Sequence, residues 1–229
     1  MKIAVLFRGP VRPQPANVVD RFKEFMSHFQ ILPDGVEVHT YLATWNRWKG
    51  YRAAELLALD LFDNVMMQSM PTDAHRRRCT KLLKLPNGAD IEPVFNMYYQ
   101  SKTALDWIVR SDTYNYIIHT RTDLQMILGQ NINDWFDPIH YVAPHVPGVF
   151  APHAPHIKAE DLWICDQFGV ATGSNMHRAW DYGDIPELGI RIEKADKPEA
   201  VLQGMIEDAG IPMRTAPYLA WQLDPTRNS

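Results

Sequence analysis

Five consecutive apolar residues, Ile3-Ala4-Val5-Leu6-Phe7, run straight into Arg8-Gly9-Pro10-Val11-Arg12-Pro13. A strand with one wet face alternates apolar and polar residues. An unbroken apolar run suits a central strand covered on both faces. The segment after it, with two prolines and a glycine, cannot continue as regular structure for long. The pair of features points to a layered α/β architecture. It also puts arginines at the exit of a buried strand.

The alternation of elements continues down the chain. Val18, Phe22, Phe25, Met26 and Phe29 recur at helical spacing behind Asn17, a capping residue type, and Pro33-Asp34-Gly35 turns the chain. Val36 to Leu42 reads as a second strand, Arg52 to Leu59 as a helix, and Val65 to Gln68 as a short third strand. Strand, helix, strand, helix, strand predicts a mostly parallel central sheet flanked by helices. A basic helix and a turn at Pro86-Asn87-Gly88 are expected between Met70 and Glu92. Phe95, Tyr98, Tyr99, Lys102, Leu105 and Ile108 share one face of a helix from Val94 to Arg110. Tyr114 to His119 is a strand ending in Thr120-Arg121-Thr122-Asp123-Leu124, and Tyr141-Val142-Ala143 is a short one.

Prolines 138, 144, 147, 152 and 155 mark the longest candidate loop, of the kind that serves as a lid or binding loop. Apolar periodicity returns from Asp161 to Thr172. Ser174 is a candidate cap for a helix through Trp180, and a last helix begins near Pro198 and stops at Gly210. There is no internal repeat and no dividing linker. The expectation is one α/β domain over residues 1–229, with a nucleotide-binding part at 1–130 and an acceptor-side part at 131–224.

Charge narrows the partners. With 27 acidic against 23 basic residues the net charge is -4, where a nucleic-acid binder would show a basic surface. No nucleic acid is expected. The one dense basic run, His75-Arg76-Arg77-Arg78 with Lys81 and Lys84, reads as a solvated helix face or as a site for an acidic donor, acceptor or membrane surface. The two cysteines, Cys79 and Cys165, are too few for a disulfide framework. Neighbouring arginines would lower the Cys79 pKa, but no base stands beside it, so both are read as free thiols in a reducing compartment. Ile3 to Phe7 is too short for a secretory core, and no stretch reaches the roughly 18 apolar residues of a membrane span. A cytoplasmic protein is expected, with no transmembrane segment and at most peripheral membrane contact.

Open α/β sheets place ligands beyond the carboxyl ends of their strands. Asp123 lies just past a buried strand, and in Arg121-Thr122-Asp123 an extended backbone would put both charged side chains on one side. Arg121 would bind phosphate in a fork, and Asp123 would hold a divalent cation, Mn2+ or Mg2+, bridging the same oxygens. The bland alternative is a structural ion pair. Asp166-Gln167, in a segment that also holds Glu160 and Asp161, is the second candidate. Asp166 there is a metal ligand, a base toward an acceptor hydroxyl or a sugar ligand. The alternative is a carboxylate at a helix start. Arg8 and Arg12 flank Gly9, which permits close backbone approach to a phosphate. Gly-x-Gly-x-x-Gly, the Gly-Lys-Ser/Thr phosphate loop and Gly-x-Ser-x-Gly are all absent, against dehydrogenase, kinase, NTPase and α/β-hydrolase readings. The histidines at 140, 145, 153 and 156 have no zinc-motif spacing.

Several segments taken in order resemble small bacterial and phage glycosyltransferase-like proteins related to the WavE lipopolysaccharide-synthesis family. They are Lys2 to Arg12, Val36 to Leu42 with Thr44-Trp45-Asn46, Asn96 to Lys102, Tyr116 to Leu124, Asp166 to Ala171, and Lys197 to Leu202. The resemblance covers most of the chain. It implies a GT-A-like nucleotide-sugar-binding fold and transfer from a nucleoside diphosphate sugar to a carbohydrate or glycolipid acceptor, in surface polysaccharide or lipopolysaccharide. Arg121-Thr122-Asp123 then stands where such proteins carry Asp-x-Asp, and the first Asp is missing. On this reading Asp123 holds the cation, Arg8, Arg12 and Arg121 contact phosphates, and Asp166 is base or sugar ligand. Trp45, Trp135 or Trp163 stacks on a base or sugar, or fills the core.

Two rivals stay open. One is a non-catalytic carbohydrate- or nucleotide-binding protein on the same scaffold. The other is a nucleotidyltransferase or sugar-phosphate enzyme.

Overall fold

The apolar run at the N-terminus forms β1 (Lys2–Arg8), which lies inside a seven-stranded sheet with its side chains from Ile3 to Phe7 buried. The computed structural model describes residues 1–10, 15–45, 60–80, 84–85, 88, 90–127, 132–146, 163–195, 197–215 and 220–223. The remaining sheet strands are β2 (Glu37–Trp45), β3 (Asn64–Gln68), β4 (Tyr116–Arg121), β6 (Tyr141–Ala143), β9 (Phe168–Thr172) and β10 (Met213–Thr215). Two small two-stranded sheets pair β5 (Leu124–Ile127) with β11 (Ala220–Leu223) and β7 (His145–Val146) with β8 (Trp163–Ile164).

The main sheet runs in the order β10-β6-β9-β4-β1-β2-β3. β1 is parallel to both β2 and β4, β2 to β3, and β6 to β10. β9 is antiparallel to β4 and to β6. The chain is therefore a mixed α/β single domain, with one reversed strand in a sheet that is otherwise parallel. Its strands come from both sides of residue 130.

Helices cover both faces, which is why β1 has no polar alternation. On one face Ile3, Val5, Phe7, Leu42 and Ile118 pack with Phe25 and Phe29 from α1 (Pro15–Ser27) and the following turn. On the other, Ala4, Leu6, Tyr41, Ala43 and Ile117 pack against α3 (Ile91–Ser111), through Phe95, Tyr98, Leu105 and Ile108. Fully burying a side chain of that size contributes about 1.5–3 kcal/mol, so the apolar stripe of α3 is enough to hold that helix on the sheet. Around α3 stand α2 (Asp73–Cys79), α4 (Gly173–Ala179), α5 (Ile185–Lys194) and α6 (Pro198–Asp208). At Gly189 of α5 an added Cβ would sit 1.6 Å from the Cys79 carbonyl oxygen, so only glycine lets α5 approach α2 this closely.

Several expectations need correction. The stretch from Asp161 to Thr172 contains the strand β9 and the two residues of β8, and Asp166 sits in the bend between them, not at a helix start. A short apolar run serves a strand or a helix equally well, and only pairing with β4 decides it. The cap of α4 is Thr172, whose hydroxyl accepts from the Asn175 amide, not Ser174, because β9 ends where the helix begins. The helix α5 was not anticipated, although Asp184 and Glu187 form a capping box with a proline in the first turn. Burial pushes the Cys79 thiol up to about 12, against the lowering expected from the neighbouring arginines. Both cysteines are free and buried. The expected helix at Arg52–Leu59 and most of the proline-rich loop, 147–162, lie outside the described residues, as does Arg12. Among the described residues no helix is long and apolar enough to cross a membrane.

Candidate functional site

From β1 the chain steps outward through β2 to β3, then returns to β4 on the other side of β1. The carboxyl ends of β1 and β4 thus form a topological switch point, the place where open α/β sheets leave a crevice. Strand alternation supplies the side chains. Leu6 and Ile117 face α3, so Arg8 follows Leu6 on that face, and His119 and Arg121 follow Ile117. Register sets Leu6 beside His119 and Arg8 beside Arg121.

The two strand exits are tied together. Thr122 donates its amide to the Arg8 carbonyl at 3.1 Å and its hydroxyl to the Pro10 carbonyl at 2.7 Å. Gly9 donates its amide to the Ala43 carbonyl at 3.0 Å. Arg21 of α1, reaching from below, donates to the Thr122 carbonyl at 2.8 Å. Gly9 has φ +114°, in the region L side chains avoid, and a Cβ there would press on the Thr122 hydroxyl at 3.3 Å.

A cleft of about 1160 Å3 opens over this junction, between the strand exits, α2, the start of α3 and the start of α6. Of the residues singled out in the sequence, Arg8, Gly9, Trp45, Arg121 and Asp166 line it. Asp123 does not appear on that lining. Trp45 is largely buried in the wall, and Trp135 is fully buried core.

Arg8 is held from three sides. Its Nε donates to His119 Nε2 at 2.7 Å, one terminal nitrogen donates to the Asp166 carbonyl at 2.7 Å, and its guanidinium lies 5.6 Å from the centre of the Trp180 ring. Burial and then the neighbouring Arg121 push Arg8 down to about 10, which still leaves it a cation at neutral pH. Burial and the two arginines hold His119 well below its ordinary pKa. It is a neutral imidazole, and because Nε2 accepts from Arg8 the proton sits on Nδ1. His119 is therefore a positioning residue for Arg8.

Arg121 and Asp123 form a two-pronged pair, Nε to Oδ1 and a terminal nitrogen to Oδ2, both at 2.7 Å. Asp123 is 1% exposed and Arg121 20%. Burial opposes the charge of Arg121, but the hydrogen bonds and charge of Asp123 prevail and raise its pKa. Both carboxylate oxygens of Asp123 are thus already turned to a cation that belongs to the protein. Among the described residues no three His, Cys, Asp or Glu side chains gather as a metal site. The geometry at Asp123 does not fit the divalent ion expected there, and it fits the ion-pair alternative.

Asp166 is 4% exposed, and its Oδ1 has no hydrogen-bond partner among the described residues. Burial raises its pKa, and Arg8 and Arg121 offset part of the rise. Glu199, which sequence reasoning missed as a site residue, also lines the cleft. Burial and then the Asp166 charge raise its pKa. It sits in the first turn of α6 behind Pro198, whose carbonyl accepts from the Tyr98 hydroxyl at 2.7 Å. The available signal was an acidic residue in a helix first turn, and that pattern normally serves the helix dipole. The basic run lies on α2 at the rim, where Arg76 pairs with Asp73 and Glu92, and Lys84 pairs with Asp90. Arg76 and Lys84 are thus balanced locally, and Arg77 stands beside Arg76 on the cleft lining.

The cleft therefore combines two firmly aimed guanidinium groups, Arg8 buried and Arg121 partly exposed, with a desolvated carboxylate at the switch point of the sheet. No protein-family model matches the chain, and no curated protein matches its sequence, so the residues of the cleft themselves must carry the functional reading.

Proposed function

We propose that the chain is a glycosyltransferase, with a nucleotide-sugar-binding fold of the GT-A type, that moves a sugar from a nucleoside diphosphate sugar to an acceptor hydroxyl of a surface carbohydrate or glycolipid. The observation that carries this reading is the side-by-side placement of Arg8 and Arg121 at the β1–β4 switch point, with Asp166 in the same cleft. Two donor-only guanidinium groups match a diphosphate. Their charge, fixed in a poorly solvated site, stabilises negative charge that grows on the leaving diphosphate as the bond to the sugar carbon breaks. The acceptor oxygen forms the new bond to that carbon. Its proton passes to ionised Asp166. A divalent ion would add further stabilisation of the diphosphate, but the residues at Asp123 do not supply a site for one, and no step here runs through it.

Calorimetry against UDP, GDP, CDP and CMP, each with and without manganese, tests the donor half of the proposal. The expected result is a clear preference for one nucleoside diphosphate. Absence of binding to all four in folded protein overturns the proposal. Product analysis then separates the rivals, because only a transferase or a nucleotide-sugar hydrolase releases free nucleoside diphosphate. A non-catalytic binder on the same scaffold releases none, and the replacement of the expected first Asp by Arg121 is what favours that second reading.

The carboxylates give a pH signature. Asp166 acts in its ionised form, and its raised pKa places the acid limb of the rate profile above that of an ordinary carboxylate. The Asp166 charge also raises the Glu199 pKa, so Asp166→Asn is expected to lower it, read by NMR titration of the Glu199 carboxyl. An unmoved Glu199 in the folded variant would show that the two groups are not coupled.

A further inference from the structure

Three buried oxygens on this cleft lack a hydrogen-bond partner among the described residues: Asn96 Oδ1, Asp166 Oδ1 and Gln167 Oε1. All three residues line the same space as Arg8 and Arg121. Leaving a buried acceptor unpaired is costly, and native interiors leave few of them. Three on one lining, one of them on a carboxylate that is 4% exposed, point to a ligand that brings donors.

The two sides of the cleft differ in chemistry. Arg8 and Arg121 offer only positively charged donors. Asn96 and Gln167 offer amide edges, and Asp166 and Glu199 offer acceptor oxygens. A ligand that suits both sides is anionic at one end and rich in hydroxyl groups at the other. A sugar hydroxyl both donates and accepts, so it satisfies an amide in either orientation. Diphosphate on the arginines and an acceptor hydroxyl on Asp166 leave the sugar ring between them, in the cleft that Asn96 and Gln167 also line. The carboxylates add a selection rule. Asp166 and Glu199 line the same cleft, and the Asp166 charge already raises the Glu199 pKa. A third carboxylate in that space meets the same repulsion.

Resting on the transferase reading, we propose that Asn96 and Gln167 form a hydroxyl-binding subsite beside Asp166, and that the sugar it takes is uncharged, a neutral hexose and not a uronic or sialic acid. The subsite joins the start of α3 to the bend between β8 and β9.

The test is calorimetry of the full chain with UDP, GDP, UDP-glucose, GDP-mannose and UDP-glucuronic acid, on the wild type, Asn96→Leu and Gln167→Leu. For the nucleotide that binds, the neutral sugar is expected to tighten binding about tenfold over the free diphosphate. Glucuronic acid is expected to give no gain. Each variant is expected to lose most of the sugar gain while keeping the affinity for the free diphosphate. Two variants are used so that a folding defect in one leaves the other to decide. The subsite is overturned, with the transferase reading intact, if diphosphates bind but the neutral sugar adds nothing. It is overturned also if both folded variants keep the full gain, or if glucuronic acid binds as tightly as glucose. If none of UDP, GDP, CDP and CMP binds, both proposals fall together.

Discussion

Asp123→Ala is expected to lower folding stability by about 3–5 kcal/mol, with or without manganese. Its carboxylate is 1% exposed and holds Arg121 through two hydrogen bonds of 2.7 Å. Removing it strands a guanidinium beside Arg8, directly across the strand pair. The two positive charges would then keep Asp166 as a counter-charge but lose that of Asp123. Arg121 is 20% exposed, so water recovers part of the loss and the lower end of the range is the better expectation. Urea denaturation of wild type and variant measures the effect directly, as a lower midpoint with an unchanged slope. Nucleoside diphosphate binding should weaken as well, because Arg121 loses the partner that aims it. The rival outcome is specific. A variant as stable as the wild type that loses only manganese-dependent binding would make Asp123 a cation ligand and remove its role as the anchor of Arg121.

Arg8→Lys is expected to be nearly as damaging as Arg8→Ala, although it keeps the charge. Lysine has no planar fork. It cannot serve His119 Nε2 and the Asp166 carbonyl at once and still present a donor to the cleft, as Arg8 does. The Asp166 carbonyl loses its partner and His119 Nε2 is left with the Ser101 hydroxyl at 3.3 Å, which implies a stability loss of about 1–3 kcal/mol. Nucleoside diphosphate affinity is expected to fall by about ten- to a hundredfold, through loss of the guanidinium donor aimed at the cleft. Because Arg8 also grips the backbone of Asp166, kcat should fall further than the loss of binding explains. Denaturation together with calorimetry separates these effects. A folded Arg8→Lys protein with wild-type affinity would reduce Arg8 to a structural strut.

The frame of the fold was legible where patterns were long or unbroken. The apolar run from Ile3 to Phe7 marked a strand buried on both faces, and the stripe from Phe95 to Ile108 marked the helix that covers it. The arginines and glycine at the first strand exit, and Arg121 at the fourth, were visible because breakers and charges follow buried runs. Elsewhere the signal ran out. Phe168 to Thr172 is too short for its period to choose between strand and helix, and nothing in it specifies an antiparallel partner. Glu199 and Asn96 belong to helices whose local sequence looks ordinary, and they matter only through what they face across the cleft.

What the sequence by itself determined was therefore local: which segments are strand or helix, and which charged residues stand where strands end. Those properties depend on near neighbours, through side-chain period, backbone breakers and burial. What only the tertiary structure decided was pairing. The return of β4 beside β1 set Arg8 next to Arg121, and burial turned Asp123 toward Arg121. The bend after β8 carried Asp166 to within reach of Arg8, 158 residues away along the chain. Electrostatic energy depends on distance and on the surrounding dielectric, neither of which sequence spacing contains, so the charge logic of the cleft existed only once the sheet had closed.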